Sequence, residues 1–270
     1  MMPLLNTATS AARRAGDMAL RYADRIESLT VRSKSPNELV TEVDEAAERI
    51  IVDHIRNGYP DHAFLGEEGG ARGDSEFEWI IDPLDGTTNY VHRFPVFCVS
   101  VALRRKSELQ LGVIYDPLRQ EMFTCTRGGG ARLNERRIRV SSHQALAGSL
   151  IGTGFPYRRN LQWVDVYMRM LRQVMRRTSG VRRPGAAALD LAYVAAGRLD
   201  GFWEFGLKPW DIAAGALLIE EAGGWISGLQ PNTDCMESGH VLAGTPKVYG
   251  ELRKLFDTII RNNKQVTDTK

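Results

Sequence analysis

The sequence predicts an α/β protein with an α+β N-terminal half, and three observations carry that expectation. Residues 4 to 27 place Leu5, Ala8, Ala12, Ala19, Tyr22 and Ile26 on one stripe, with Arg14, Asp17, Arg21, Asp24 and Arg25 mostly off it. That spacing predicts an amphipathic helix. Residues 63 to 140 switch to short apolar runs divided by turn chemistry, and beyond residue 147 strand-like runs alternate with helical ones.

Each element has a local justification. Thr41 is a plausible N-cap for a helix reaching about Asn57: acids fill its first turn, Ala47, Ile51 and Ile55 supply the apolar face, and Gly58 and Pro60 stop it. Phe77–Ile81, Phe97–Leu103, Leu109–Tyr115 and Glu121–Thr126 read as strands, separated by signals such as Asp116-Pro117 and Gly128-Gly129-Gly130. After the boundary, Leu150–Thr153, Gly201–Phe205, Gly224–Ser227 and His240–Ala243 read as strands, and Asn160–Arg177, Ala186–Gly197, Asp211–Ala222 and Pro246–Asn262 as helices. The change of pattern near 141–147 predicts an N-terminal α+β domain over 1–142 and a C-terminal α/β domain over 143–270. Residues 262–270 are polar and read as a frayed tail.

Composition excludes several classes. The chain has 270 residues, 43% hydrophobic and 25% charged, which rules out a disordered or collagen-like polymer. A formal charge of +2 is too small to announce a nucleic-acid or membrane binder. Cys98, Cys125 and Cys235 are odd in number and far apart, which fits reduced thiols in a cytoplasmic protein better than a disulfide framework. No signal-peptide pattern stands at the N-terminus, and the apolar run Ile212–Ile219 is far short of the roughly 20 residues that span a bilayer.

The chemistry concentrates in Trp79–Asn89, where an apolar strand runs into Asp82-Pro83-Leu84-Asp85-Gly86-Thr87-Thr88. Asp-Pro-Leu is common turn chemistry, and the sequence carries its own control in Asp116-Pro117-Leu118-Arg119, with a basic residue where Asp85 stands. Two carboxylates at the end of a buried strand repel unless a cation sits between them, and hard oxygen ligands suit Mg²⁺. The carbonyl of Leu84 is a further candidate ligand; the N–H groups of Gly86 and Thr87 are candidates for a phosphate oxygen. Glu67 and Glu68 between glycines, Asp44 in the first turn of the second helix and Asp211 after Pro209 supply further acids, although each also reads as a solvated turn or a first-turn acid. The five histidines show no zinc spacing, and no P-loop, dinucleotide fingerprint or Gly-x-Ser-x-Gly elbow is present, which leaves metal-assisted attack by water.

Taken in order, Gly66-Glu67-Glu68, the run WIIDPLDGTTN from Trp79 to Asn89, Trp210-Asp211-Ile212-Ala213-Ala214-Gly215 and Glu221-Ala222-Gly223-Gly224 resemble the bacterial type of the inositol monophosphatase family over essentially the whole chain. The resemblance implies the layered αβαβα sandwich of sugar phosphatases, usually a homodimer, and a phosphomonoesterase acting on inositol monophosphate and similar polyol monophosphates. It implies two to three Mg²⁺ ions per site, with Glu67, Asp82, Leu84, Asp85 and Asp211 as ligands, and lithium sensitivity. It implies Thr87 with Asp44 as the pair that activates water. It also implies Asp85, Gly185, Ala186, Ala187, Glu204 and Asp211 as contacts to substrate hydroxyls, with Glu67, Gly86 and Thr87 beside the phosphate. Fructose bisphosphate and phosphoadenosine phosphate phosphatases of the same superfamily are alternatives, mildly disfavoured because no extra basic cluster lies near the acidic motifs in the sequence.

A second charged feature is separate. Arg169, Arg172, Arg176, Arg177, Arg182 and Arg183 fall within fifteen residues, with no aromatic residues interleaved. They read as a solvated helix face or as a docking surface for an acidic partner, RNA or another protomer. Bacterial members of the family that the chain resembles also serve as transcription antitermination and ribosomal-RNA-processing factors, so contacts with transcription-machinery protein and RNA are the competing expectation.

Overall fold

The computed structural model describes residues 1–23, 31–35 and 38–261. The expected end of the first helix near residue 27 and the polar tail lie outside the described residues. The N-terminal half contains α1 (Met2–Ala23), the small antiparallel pair β1 (Val31–Ser35) and β2 (Glu38–Thr41), α2 (Glu42–Gly58), β3 (Ala63–Gly66), β4 (Gly70–Arg72), β5 (Phe77–Asp85), α3 (Thr87–Val91), β6 (Cys98–Arg105), β7 (Glu108–Asp116), β8 (Glu121–Thr126), β9 (Gly130–Leu133) and β10 (Arg136–Arg137). The C-terminal half contains β11 (Leu150–Thr153), α4 (Val164–Met175), β12 (Gly180–Arg182), α5 (Ala187–Ala195), β13 (Gly201–Glu204), α6 (Pro209–Glu221), β14 (Trp225–Ser227), α7 (Cys235–Ser238), β15 (Val241–Gly244) and α8 (Pro246–Arg261). The helix expected to begin at Asn160 starts as a 3-10 segment, Arg158–Trp163, before α4.

Beside the β1–β2 pair, the described residues form two larger sheets, an eight-stranded one ordered β10-β9-β8-β7-β6-β5-β3-β4 and a five-stranded one ordered β12-β11-β13-β15-β14. Strand alternation sends side chains to opposite faces, and the layers follow from it. On β5, Trp79 and Ile81 pack with α1 and α2, whereas Ile80 packs with α5 and α6. On β13, Phe202 joins that same α5/α6 core from the other side, whereas Trp203 packs with α4 and α8. The order helices–sheet–helices–sheet–helices is the αβαβα sandwich, and α5 and α6 are its shared middle layer.

Strand β5 departs from the turn that Asp-Pro-Leu suggested. It stays extended through Asp85, pairing Asp82 with Ser100 and Asp85 with Cys98 on β6, so three steps on β5 oppose two on β6. That bulge accommodates Pro83, which lacks a ladder donor, and re-aims both carboxylates. The middle layer is tight. A Cβ on Gly215 of α6 would lie 2.5 Å from Cβ of Leu191 on α5, closer than side-chain contacts allow. Gly215→Ala is therefore expected to destabilise the protein by about 1–3 kcal/mol through overpacking. Urea unfolding measures it; unchanged stability would show that the two helices are not held at this spacing.

Candidate active site

The site lies where the two sheets meet the middle helices. Asp82 and Asp85 leave the bulge of β5, and Asp211 stands at the third position of α6; one carboxylate oxygen from each lies within 4.8 Å of the others. Asp82 is buried, with 1% of its surface exposed, and Oδ1 accepts the N–H of Leu84 at 3.0 Å. Oδ2 of Asp85 accepts the Ala188 N–H at the start of α5, at 2.7 Å, and the Cys98 thiol at 3.7 Å. Oδ2 of Asp211 accepts the N–H of Lys208, the residue that caps α6, at 2.7 Å.

Burial, followed by the charges of Glu67, Asp85 and Asp211, raises the Asp82 carboxyl well above its usual range. Burial together with the neighbouring carboxylates, Glu67 included, pushes Asp85 up to about 6 and Asp211 up to about 7. The Asp82 and Asp211 carboxyls also act directly on each other. Carboxylate oxygens converging with no ion-paired protein cation among the described residues suit a hard divalent cation, so the donor set fits Mg²⁺.

The control copy shows what turns the same tripeptide into a site. Oδ1 of Asp116 accepts the N–H groups of Leu118 and Arg119, as Asp82 accepts that of Leu84, but the Arg119 guanidinium also reaches Asp116 at 2.9 Å. That copy is electrically closed. Asp85 in place of the arginine leaves the first copy open.

Asp44 is the third residue of α2. Its Oδ2 accepts the N–H and the hydroxyl of the cap residue Thr41 at 2.8 and 2.5 Å, while Thr87 Oγ1 donates to Oδ1 at 2.9 Å. The first-turn acid is thus both cap and site residue. Burial raises its pKa, which makes it a better proton acceptor than a free carboxylate. The Thr87 hydroxyl also lies 3.0 Å from the Leu84 carbonyl, so its one proton has two acceptors. Gly86 precedes α3 at φ 97°, and a Cβ there would crowd the Val96 carbonyl at 2.9 Å.

On the opposite wall, Glu204 ends β13 and lies against Gly154 at the end of β11. Burial, then Asp211 and Asp85, push its carboxyl up to about 8. Gly185, Ala186 and Ala187 form the turn into α5, and the N–H groups of Ala187 and Ala188 are directed at Asp85. Glu67 stands beside the tight trio rather than within it, and its charge acts on all three members.

Sequence reasoning missed several supporting residues. Glu48, one turn after Asp44 on α2, is buried and accepts the Glu68 N–H at 2.8 Å, which fixes the Glu67-Glu68 turn. Asn89 donates to the carbonyls of Val96 and Pro184 at 2.8 and 2.9 Å, tying the two halves together beside Gly185. Its place at the end of the WIIDPLDGTTN run was the available signal. Asp190 on α5 is buried, and its Oδ1 has no hydrogen-bond partner among the described residues. The arginine group also divides. Arg169, Arg172 and Arg176 are exposed on and after α4, but Arg183 turns to the site and lies over the rings of Phe155 and Tyr157. The fold thus supplies the aromatic partners that the linear sequence lacks.

Layers, carboxylate trio and Thr–Asp pair together make a site of the layered α/β class that is suited to a divalent cation and a positioned water. The sequence profile described as the inositol monophosphatase family matches residues 1–262. The Nus factor SuhB of Pseudomonas aeruginosa is 51% identical over 257 residues, 93% of this chain and 95% of that one. The extragenic suppressor protein SuhB of Bartonella henselae superposes with a TM-score of 0.91 at 41% identity, covering 94% of this chain and 98% of that one. The inositol monophosphatase of Anabaena superposes at 0.85 with 40% identity, covering 95% and 96%. The chain belongs to the inositol monophosphatase family.

The raised carboxyls give the metal-free protein a defined pH response. Their folded pKa values exceed the unfolded ones, so the folded state holds extra protons between about pH 4 and pH 7 and loses stability as pH rises through that window. His54, His62 and His240, whose pKa values burial lowers, act in the opposite sense below their ordinary pKa. Comparison with Asp82→Asn isolates the carboxylates. In chelator, the variant is expected to melt above the wild type near pH 8, with the gap closing toward about pH 5, and Mg²⁺ should stabilise the wild type most at the higher pH. Parallel melting curves for the two proteins would contradict the repulsion.

Proposed function

We propose that this chain hydrolyses inositol monophosphate and related polyol monophosphates with Mg²⁺, as a cytoplasmic homodimer. The observation that carries the proposal is the convergence of Asp82, Asp85 and Asp211 within 4.8 Å beside the Thr87–Asp44 hydrogen bond. Asp82, Asp85 and Asp211, with Glu67 and the Leu84 carbonyl, would hold the two to three cations that the family uses. Bound there, Mg²⁺ neutralises the cage, polarises the phosphoryl group and makes water acidic enough to attack at neutral pH.

The remaining work belongs to the chain. Thr87 donates to Asp44, so its oxygen accepts a hydrogen bond from the attacking water and aims it. Asp44, buried and basic for a carboxylate, is the sink for the proton that the water loses through Thr87. The N–H groups of Gly86 and Thr87 begin α3 without intrahelical acceptors and are suited to a phosphate oxygen. Glu204 and the Gly185–Ala187 turn face the leaving alcohol. Among the described residues no helix is long and apolar enough to cross a membrane.

Phosphate release assayed across inositol monophosphates, glycerol 2-phosphate, fructose 1,6-bisphosphate and phosphoadenosine phosphate tests the reading, with the polyol monophosphates expected to lead and high lithium to inhibit. Asp82→Asn should abolish Mg²⁺-dependent turnover while remaining folded, and retained turnover at saturating Mg²⁺ would remove Asp82 from the ligand set. Thr87→Ala should lose about 10²–10⁴ in kcat, with Thr87→Ser largely active; equal activity in all three proteins would dissolve the dyad.

A second role has its own support in relatives named Nus factors and in the exposed surface of α4 and its flanks, where Leu161 in the preceding 3-10 segment, Met168 and Met175 are exposed, as are Arg169, Arg172 and Arg176. We infer that this face contacts transcription-machinery protein or RNA, separately from catalysis. Arg169, Arg172 and Arg176 changed together to Glu should weaken binding to purified transcription complexes at least about tenfold and leave turnover intact. Unchanged binding would make the face ordinary solvated surface.

A further inference from the structure

Strand β6 runs beside β5, and the face it turns to the middle layer is not wholly apolar. Cys98 and Ala102 on β6 pack with α5 and α6, whereas Val99 and Val101 pack on the far side with α1 and α2. Alternation puts Ser100 on the same face as Cys98. Register sets the two against the bulge of β5, Cys98 opposite Asp85 and Ser100 opposite Asp82. Residues directly opposite on antiparallel strands share a face, so two polar side chains stand next to the carboxylate trio in an otherwise apolar layer.

Both are spent on the site rather than on the core. Cys98 is fully buried, and its thiol donates to Oδ2 of Asp85 at 3.7 Å. Burial, and then the charge of Asp85, push the thiol well up, so the sulfur keeps its proton and acts as a donor. The Ala188 N–H meets the same oxygen at 2.7 Å from the start of α5. Gripped from β6 and from α5, the Asp85 carboxylate cannot turn without giving up a donor. Ser100, also buried, donates to the Trp210 carbonyl at 3.2 Å. Trp210 is the second residue of α6 and Asp211 the third, so that bond ties the turn bearing Asp211 to the strand beside Asp82 and Asp85. An S–H group is a weak donor. It holds the carboxylate in orientation and leaves most of its charge to a cation, which a guanidinium in the same place would neutralise, as Arg119 does to Asp116.

We propose that Cys98 and Ser100 are positioning residues for the metal centre, Cys98 by orienting the Asp85 carboxylate and Ser100 by fixing the first turn of α6 that carries Asp211. Cys98 acts through Asp85 and not on the cation itself, because Mg²⁺ takes hard oxygen ligands. The proposal rests on the reading of the site as a Mg²⁺-dependent phosphatase and names part of the outer shell that such a cage needs. Losing an outer-shell partner costs about 10–100-fold in metal affinity.

Mg²⁺ binding to the full chain, followed by titration calorimetry without substrate, tests it. Cys98→Ala should raise the apparent Kd about tenfold, and Cys98→Ser, which restores a donor, should recover most of that loss. Ser100→Ala should raise the Kd in the same direction by a smaller factor. Cys125→Ala is the control: that thiol is also buried and donates at 3.7 Å, but to the Gly112 carbonyl on β7, and its loss should leave Mg²⁺ affinity unchanged. A second readout needs no variant. In infrared spectra of the wild type, one S–H stretching band should move when Mg²⁺ replaces chelator, since the cation draws charge from the acceptor of the Cys98 proton. An unchanged Kd in Cys98→Ala, an equal loss in Cys98→Ser or Cys125→Ala, or S–H bands indifferent to Mg²⁺ would overturn the role of Cys98. An unchanged Kd in Ser100→Ala would overturn that of Ser100. Each of these results leaves the phosphatase reading standing, whereas wild-type protein that binds no Mg²⁺ would overturn both.

Discussion

Repulsion among Asp82, Asp85 and Asp211 is the constraint on which the rest of this structure depends. Three carboxyl groups within 4.8 Å, with Glu67 beside them, would drive themselves into water if the chain were free to move. Each is instead anchored by a backbone bond made before any ligand arrives. Asp82 accepts the Leu84 N–H inside the bulge, Asp85 accepts from the start of α5, and Asp211 accepts from the cap of α6. Protons can relieve the strain at low pH, whereas cations relieve it at neutral pH while leaving the oxygens in place.

The anchors share a device. Asp44 and Asp211 each occupy the third position of a helix, spend one oxygen on the cap and turn the other toward the site. Asp85 reaches the N-terminus of α5 from outside. Three helix N-termini, with their partial positive charge, thus face one cluster of acids. They offset part of the repulsion without supplying a mobile counterion that would compete with a metal. The layered fold makes this convergence possible because α5 and α6 lie between the two sheets, and β5 from one sheet and β13 from the other both end against them.

Much of the cage could be read from the chain because its chemistry is local. Asp82, Asp85, Gly86 and Thr87 sit within six residues, and the Asp116 copy showed in advance that Asp-Pro-Leu alone makes only a turn. The strand runs and the six helices described on the layers stood close to their expected positions for the same reason: periodicity is a local signal. What escaped was tertiary. Nothing in the sequence pairs Glu48 with the N–H of Glu68, Asn89 with the Pro184 carbonyl, or Arg183 with Phe155 and Tyr157, because those partners meet only once the sheets have formed. The arginine group misled in the opposite direction. Proximity in sequence suggested one surface, whereas the chain turns after α4 and sends Arg183 to the active-site rim.

Anomalous diffraction from crystals grown with Mn²⁺ in place of Mg²⁺ tests the central claim most directly, since Mn²⁺ shares the preference for oxygen ligands and its position can be seen. The account predicts at least one strong peak bounded by carboxylate oxygens of Asp82, Asp85 and Asp211, with no large movement of their side chains. Peaks only elsewhere, or an ordered trio with no peak at saturating Mn²⁺, would contradict it.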